Sequence, residues 1–471
     1  MYFIHSALES DVMKKDRMQW LFVLIAISIM ILACATPQIV DQESVVATKV
    51  AATLAAVQAD DAKALEPAFE LITATPEIVD TTPKSGSNEN KKLVVAYTDS
   101  NKNIFFRDAN KNTRQLITSG DVYDIGLSDD GEWLAFVRLH DDFKYSFWVI
   151  KLDGTGEKQL VSESQFDSMK NNKDAVGGMP YVFTWRPGTH ELAFVSAPVF
   201  DGPGMFVNDD LWIVNADSGE LKQMFSPGNG GIFYYSPDGA QLALVTPEKI
   251  SLINADGSNR RDGILTFPKV NTYSEFYYYP APKWSAQGDK LLVIIPPEDP
   301  YVSPLEPSSI WQISVGATSS AKLGDLNVSP FAAAEFSPDQ ARLAYLEDGE
   351  KTGDTEYELY ILTLNGMSKS IYEKGLVTFS AWSPDSTRFI FAAGTGDNAQ
   401  LGQVGGGYKP LMNTGPADFV NWVDNNQFLY LERSTLGWKV YLENLEGYLE
   451  LVADLRGDPA TFFPTYDFIL Q

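Results

Sequence analysis

The chain has 471 residues, 44% hydrophobic and 12% aromatic, enough apolar material for a large folded core. A net charge of −26 excludes a nucleic-acid binder, which needs a basic footprint, and a protein held electrostatically on an anionic membrane. The single cysteine, Cys34, rules out an internal disulfide and a cysteine-based zinc site, and three histidines (His5, His140, His190) leave little for histidine-dependent hydrolysis.

At the N-terminus, Lys14, Lys15 and Arg17 precede an apolar run that ends in Ile31-Leu32-Ala33-Cys34. This is the layout of a signal peptide, residues 1–33. Its last four residues resemble a bacterial lipobox, although Ile31 and Leu32 depart from the usual pattern. The resemblance implies cleavage before Cys34, lipidation of that thiol and an extracytoplasmic, membrane-anchored protein. An uncleaved anchor is the alternative, for which the run is short. Residues 34–90 follow, with helix formers over 43–67 and then a Thr-, Pro- and Ser-rich stretch that cannot bury enough surface to order itself. They read as a flexible tether with one short helix.

From residue 91 onward one motif recurs. Its copies are GLSDDGEWLAFV (126–137), FTWRPGTHELAFVS (183–196), FYYSPDGAQLALVT (233–246), PKWSAQGDKLLVII (282–295), AEFSPDQARLAYLE (334–347), SAWSPDSTRFIFAA (380–393) and VNWVDNNQFLYLE (420–432). Each reads as an apolar strand, a four-residue polar turn and a second apolar strand. In the turn, proline presets φ, aspartate bonds its own backbone and glycine or asparagine takes φ > 0. Hairpins such as DLWIVNADSGELKQMF (210–225) follow, with Asp-Gly, Asp-Ser-Gly or Asn-Gly turns. Four antiparallel strands make one blade of a β-propeller.

The Ser-Pro-Asp-Gly strand pair resembles the repeat of TolB-type propellers, related to the WD40-like Pro-Asp repeat propellers that precede the hydrolase domain of prolyl oligopeptidases and dipeptidyl peptidases. The likeness covers residues 92–471; His190, Gln287, Gln340, Ser386 and Val423 depart from the motif. It implies the fold and, by analogy, protein scaffolding at the cell envelope.

Residues 92–118 supply strands two to four of a first blade without its first strand, and residues 460–470 are one surplus strand that can complete it. The count is therefore eight blades of roughly 47 residues each, with seven of about 54 as the alternative. Short turns fall on one face. Long loops at 163–180, 198–210, 267–282, 296–309 and 347–356 crowd the other, where binding on a rigid scaffold usually resides. Phe200, Asp201, Phe206, Asp209, Asp210, Tyr273, Tyr277, Tyr278, Tyr279, Glu298, Asp299 and Tyr301 are the candidate ligand-binding residues of these loops. Aromatic rings offer flat contact area, and carboxylates orient polar or cationic groups.

Little points to chemistry. No Gly-x-Ser-x-Gly occurs. His190 sits beside a turn and reads as structural, while His140 is a lone histidine beside Asp141 and Asp142. No catalytic residue, metal ligand or cofactor is assigned; the acidic loops allow weak Ca2+ binding at most. The sequence favours a non-catalytic module that binds protein, peptide or glycan through its long-loop face. The alternative is a propeller hydrolase or lyase using loop carboxylates, above all Asp209 and Asp210, as acid and base.

Overall fold

The computed structural model describes residues 91–202, 207–274, 276–302, 304, 306–316, 319–328, 332–349, 356–394, 398–411, 417–459 and 462–471. The expected signal segment, Cys34, the expected tether and short helix, and Phe206 lie outside the described residues.

Eight four-stranded antiparallel sheets follow one another along the chain. Blade 2 occupies residues 122–161, blade 3 177–225, blade 4 232–266, blade 5 283–326, blade 6 334–375, blade 7 377–410 and blade 8 417–456. Blade 1 combines Leu93–Thr98, Ile104–Arg107 and Thr113–Ile117 with the last strand, Tyr466–Leu470, as its inner member. The register runs from Leu93 opposite Leu470 to Tyr97 opposite Tyr466, and Lys92 exchanges both backbone hydrogen bonds with Gln471. The ring thus closes as the surplus strand required, and no blade keeps an unpaired inner strand.

The recurring motif proves to be a structural turn. In blade 4, Ser236 Oγ accepts from Gln241 N (2.9 Å) and donates to Asp238 Oδ1 (2.6 Å), which also accepts from Ala240 N. Ser128, Ser337 and Ser383 repeat the arrangement with Asp130, Asp339 and Asp385, and all four serines are buried. Gly239 takes φ +68° because the turn needs a left-handed residue. Where Gly is replaced, the substitute adopts the same backbone and its side chain crosses to a neighbouring blade. Gln340 (φ +56°) donates to Lys283 O, and Ser386 (φ +61°) accepts from Asp339 N.

A second repeated device joins the blades. The inner strands of blades 3, 5, 7 and 8 end in Trp185, Trp284, Trp382 and Trp422. Each indole N–H donates to a backbone carbonyl on the preceding inner strand: Gly126, Tyr234, Glu335 and Ala381. The core is correspondingly layered between blades. One continuous cluster runs from Val182 of blade 3 through Phe233 and Leu244 of blade 4 to Ile313 of blade 5.

Among the described residues one α-helix and one 3-10 turn, Asp141–Phe143, interrupt the β-structure. α1 (Glu163–Met169) lies in the first long loop, opened by a capping box between Ser162 and Gln165, and it buries Phe166 and Met169.

Candidate binding face

Alternation of strand direction puts the second-to-third and blade-to-blade connections on one face, and it is this face that carries the long loops. They are cross-linked into a rim over blades 3 to 5. The loop between blades 4 and 5 is pinned at two points. Tyr279 donates its hydroxyl to Asp209 Oδ1 of the blade 3 loop (3.0 Å), and Tyr273 donates to Asp299 Oδ2 of the blade 5 loop (2.6 Å). Asn271 N adds a bond to Glu298 O (2.7 Å). Both pins include a residue in the left-handed region, Asp209 at φ +48° and Tyr273 at φ +54°. Such backbone costs of order 1–3 kcal/mol and persists only where its surroundings over-determine it.

The candidate residues divide by environment. Tyr273, Tyr277 and Tyr301 are 63%, 43% and 58% exposed; the rings of Tyr273 and Tyr301 meet edge to face, and the Lys269 ammonium sits over Tyr277 at 3.4 Å. Asp201 and Glu298 are exposed, Asp299 is half-buried between Tyr273 and the Tyr301 amide, and Phe200 and Tyr278 are half-buried. Asp210 is a correction to the expected pair. It is fully buried inside blade 3, accepting from Ser196 N and Oγ and from Trp212 Nε1, so its carboxylate is taken up in holding that blade. Tyr279 is likewise buried, serving as a pin.

Asp209 is chemically distinct. Burial raises its pKa, the Tyr279 hydrogen bond opposes this, and the nearby Asp210 charge adds to it, leaving the carboxyl at about 6. Burial next to Asp209 pushes the Tyr279 phenol well above its ordinary value. His140 turns toward Ser146 Oγ (2.6 Å), flanked by Asp121 and Glu163.

Sequence reasoning missed the inner strands. Asp124 of blade 2 and Asp467 of blade 1 interact there, and Asp467 Oδ2 accepts from Leu127 N across the blade boundary (2.7 Å). Burial, with the Asp467 charge adding, raises Asp124 to about 6, and burial raises Asp467 as well. Between blades 5 and 6, Lys283 pairs with Glu335 at 3.3 Å. No signal short of the strand register could have placed these four groups on adjacent inner strands.

Apolar exposure is lopsided. Of thirteen exposed large hydrophobic side chains among the described residues, eight stand in loops of the long-loop face. Phe143 and Val176 flank blade 2, Tyr273, Tyr277, Tyr301 and Val302 lie in the loops of blades 4 and 5, Leu376 precedes blade 7 and Leu436 lies in the loop of blade 8. Of these thirteen, Tyr448 alone stands in a loop of the short-turn face; Tyr123 lies on an inner strand and Ile371, Tyr408 and Leu451 on outer strands.

No family model matches this sequence, and no curated protein does. Solved structures align with part of the chain at low identity. Oligogalacturonate lyase from Vibrio parahaemolyticus is 12% identical over 62% of this chain and 80% of its own (TM-score 0.40). TolB from Acinetobacter baumannii is 13% identical over 60% and 64% (TM-score 0.32). Dipeptidyl peptidase 4 from Porphyromonas gingivalis is 13% identical over 71% and 53% (TM-score 0.48). The protein is an eight-bladed β-propeller by its own strand order, and TolB, a dipeptidyl peptidase 4 and prolyl endopeptidases are among the solved structures it is similar to at low identity.

Proposed function

We propose that this protein is a lipid-anchored, extracytoplasmic propeller that binds a protein, peptide or glycan partner on its long-loop face without transforming it. One observation carries the reading: the eight-to-one imbalance of exposed large hydrophobic groups between the loops of the two faces. Its clustered part is over blades 4 and 5, where the rings of Tyr273 and Tyr301 meet, and an exposed apolar patch marks an interaction surface. The pinned aromatic rim over blades 4 and 5 adds rigid rings that lose little entropy on binding. The chain enters blade 1 at Lys92, on the short-turn side, so the long-loop face lies away from the point of entry.

The test is a screen of the full chain against peptide and glycan arrays, repeated with Tyr273→Ser/Tyr301→Ser and with Tyr448→Ser on the other face. Ligands should weaken at least tenfold in the double variant and persist in the control; ligands indifferent to the double change would refute the assignment. Anchoring predicts incorporation of labelled fatty acid that disappears in Cys34→Ala.

A propeller enzyme is the second reading, favoured by Asp209, whose acid form survives to about pH 6 beside Tyr279. Turnover of an array ligand that is lost in Asp209→Asn while binding remains would establish it.

A further inference from the structure

On the short-turn face, Asp130, Glu132 and His190 come from the first turns of blades 2 and 3, and one ligating atom from each lies within 4.8 Å of the others. We propose that they form a site for a divalent transition-metal ion, zinc being the simplest probe, with Asp217 as the residue that positions the histidine.

The geometry argues it group by group. Asp130 Oδ1 belongs to the turn, accepting from Ser128 Oγ (2.7 Å) and Glu132 N (3.0 Å). Oδ2 is left to point outward and meets His190 Nε2 at 2.7 Å. The other imidazole nitrogen, Nδ1, lies 2.8 Å from Asp217 Oδ2, and Asp217 Oδ1 is itself fixed by Trp133 Nε1 at 3.2 Å. A carboxylate behind the ring, itself anchored, is the arrangement that orients a metal-bound histidine and fixes its tautomer. Zinc bonds to nitrogen and oxygen of about 2.0–2.1 Å at tetrahedral angles set ligand atoms about 3.3 Å apart. Nε2 and Oδ2 need open by only about half an ångström, and the exposed arm of Glu132 can swing in to close the third position. Solvent completes the shell.

Charge favours the exchange. Three carboxylates surround one imidazole, so the cluster stays net negative even with the ring protonated. The nearest cations are peripheral: Lys151 is 4.0 Å from Glu132, and Lys158 bonds the Asp217 carbonyl. A dication replacing the Nε2 proton cancels more of that surplus than the proton does. One nitrogen and two oxygens suit zinc, cobalt or nickel better than calcium, which takes six to eight oxygens.

Without metal the same groups are a clasp between blades, so the test must separate clasp from site. Glu132 bonds to neither ring nitrogen and makes that distinction. The full chain, stripped with a chelator, is titrated with Zn2+ in competition with a chromophoric chelator, and with Co2+ by visible absorption. The expected result is one ion per chain, with binding lost in His190→Gln and weakened at least tenfold in Glu132→Gln. Asp217→Asn should cost about 10–100-fold. Asp238→Asn, in the equivalent turn of blade 4, should change nothing. Wild-type binding no tighter than millimolar, or binding unchanged in Glu132→Gln, overturns the proposal. Should His190→Gln fail to fold, Glu132→Gln alone decides.

Discussion

Ser236 shows at the residue scale what a repeat motif is for. Its buried hydroxyl is the acceptor for the Gln241 amide, and the aspartate two residues on receives the hydroxyl proton. Ser236→Ala leaves the Gln241 N–H inside the turn with no acceptor and should cost about 1–3 kcal/mol, read as a lowered urea midpoint with an unchanged slope. An undiminished midpoint would show that the turn is held by backbone alone. The sequence announced this turn because local chemistry dictates it. It announced less at the departures. Gln340, Ser386 and His190 looked like decay of the motif, yet each side chain crosses to a neighbouring blade, and no local pattern encodes a contact some fifty residues away. Asp209 and Asp210 looked alike for the same reason. Only the strand register, bringing Ser196 beside Asp210, makes one structural and leaves the other at the rim.

At the scale of elements, the closing strand was legible by arithmetic: one blade lacked a strand and one strand lacked a blade. Its chemistry was not. The Tyr466 hydroxyl accepts from Asn421 Nδ2 and donates to Phe419 O, both at 2.8 Å, tying the last strand to blade 8 as well as blade 1. Tyr466→Phe should therefore destabilise by about 1 kcal/mol, since it removes two hydrogen bonds while Asn421 Nδ2 and Phe419 O keep their own bond at 3.2 Å. Deleting residues 466–471 should do far more. It leaves blade 1 with three strands and opens two edges, so the single thermal transition should broaden or split. A truncated chain that melts like the full one would mean the ring does not depend on its latch. Helix α1 was missed although Ser162 and Gln165 stand at capping-box spacing, because a short apolar period inside a long loop carries too little signal to outweigh the surrounding polar residues. The tryptophan bridges between blades were equally silent: a Trp at a strand end reads as core until its neighbour's carbonyl is known.

The whole molecule combines high negative charge with two populations of carboxyl groups, and their opposition sets its response to acid. On the surface, carboxylates are held below their ordinary range. Asp238 is lowered by its Ser236 hydrogen bond, and Asp262 falls to about 2 through Lys249 and Arg260. Glu450 is partly desolvated, yet its bonds to Lys111 and Arg107 between blades 8 and 1 win. Such groups stabilise the fold above their unfolded values and withdraw that support only as pH falls through their lower folded values. Asp124 and Asp209 do the reverse, each raised to about 6 chiefly by burial. At pH 5 they keep a proton in the folded state that the unfolded chain has released, so the native state binds more protons and stability falls as pH rises. Lifting a carboxyl that far from its ordinary value corresponds to about 3 kcal/mol. Both groups still touch solvent, whose screening brings this down to about 1–2 kcal/mol each. The thermal midpoint should therefore climb as pH is lowered from 7.5 toward 5, level off near 4, and drop below that as the surface carboxylates protonate. Asp209→Asn and Asp124→Asn should each raise the midpoint at pH 7.5 and remove part of the climb, the rest coming from Asp467, Asp210 and Glu335, which burial raises as well. A midpoint that is flat or declining from pH 7.5 to 5 in the wild type would mean that these two carboxyls are ionised at neutral pH without strain, and the second, catalytic reading of Asp209 would lose its acid.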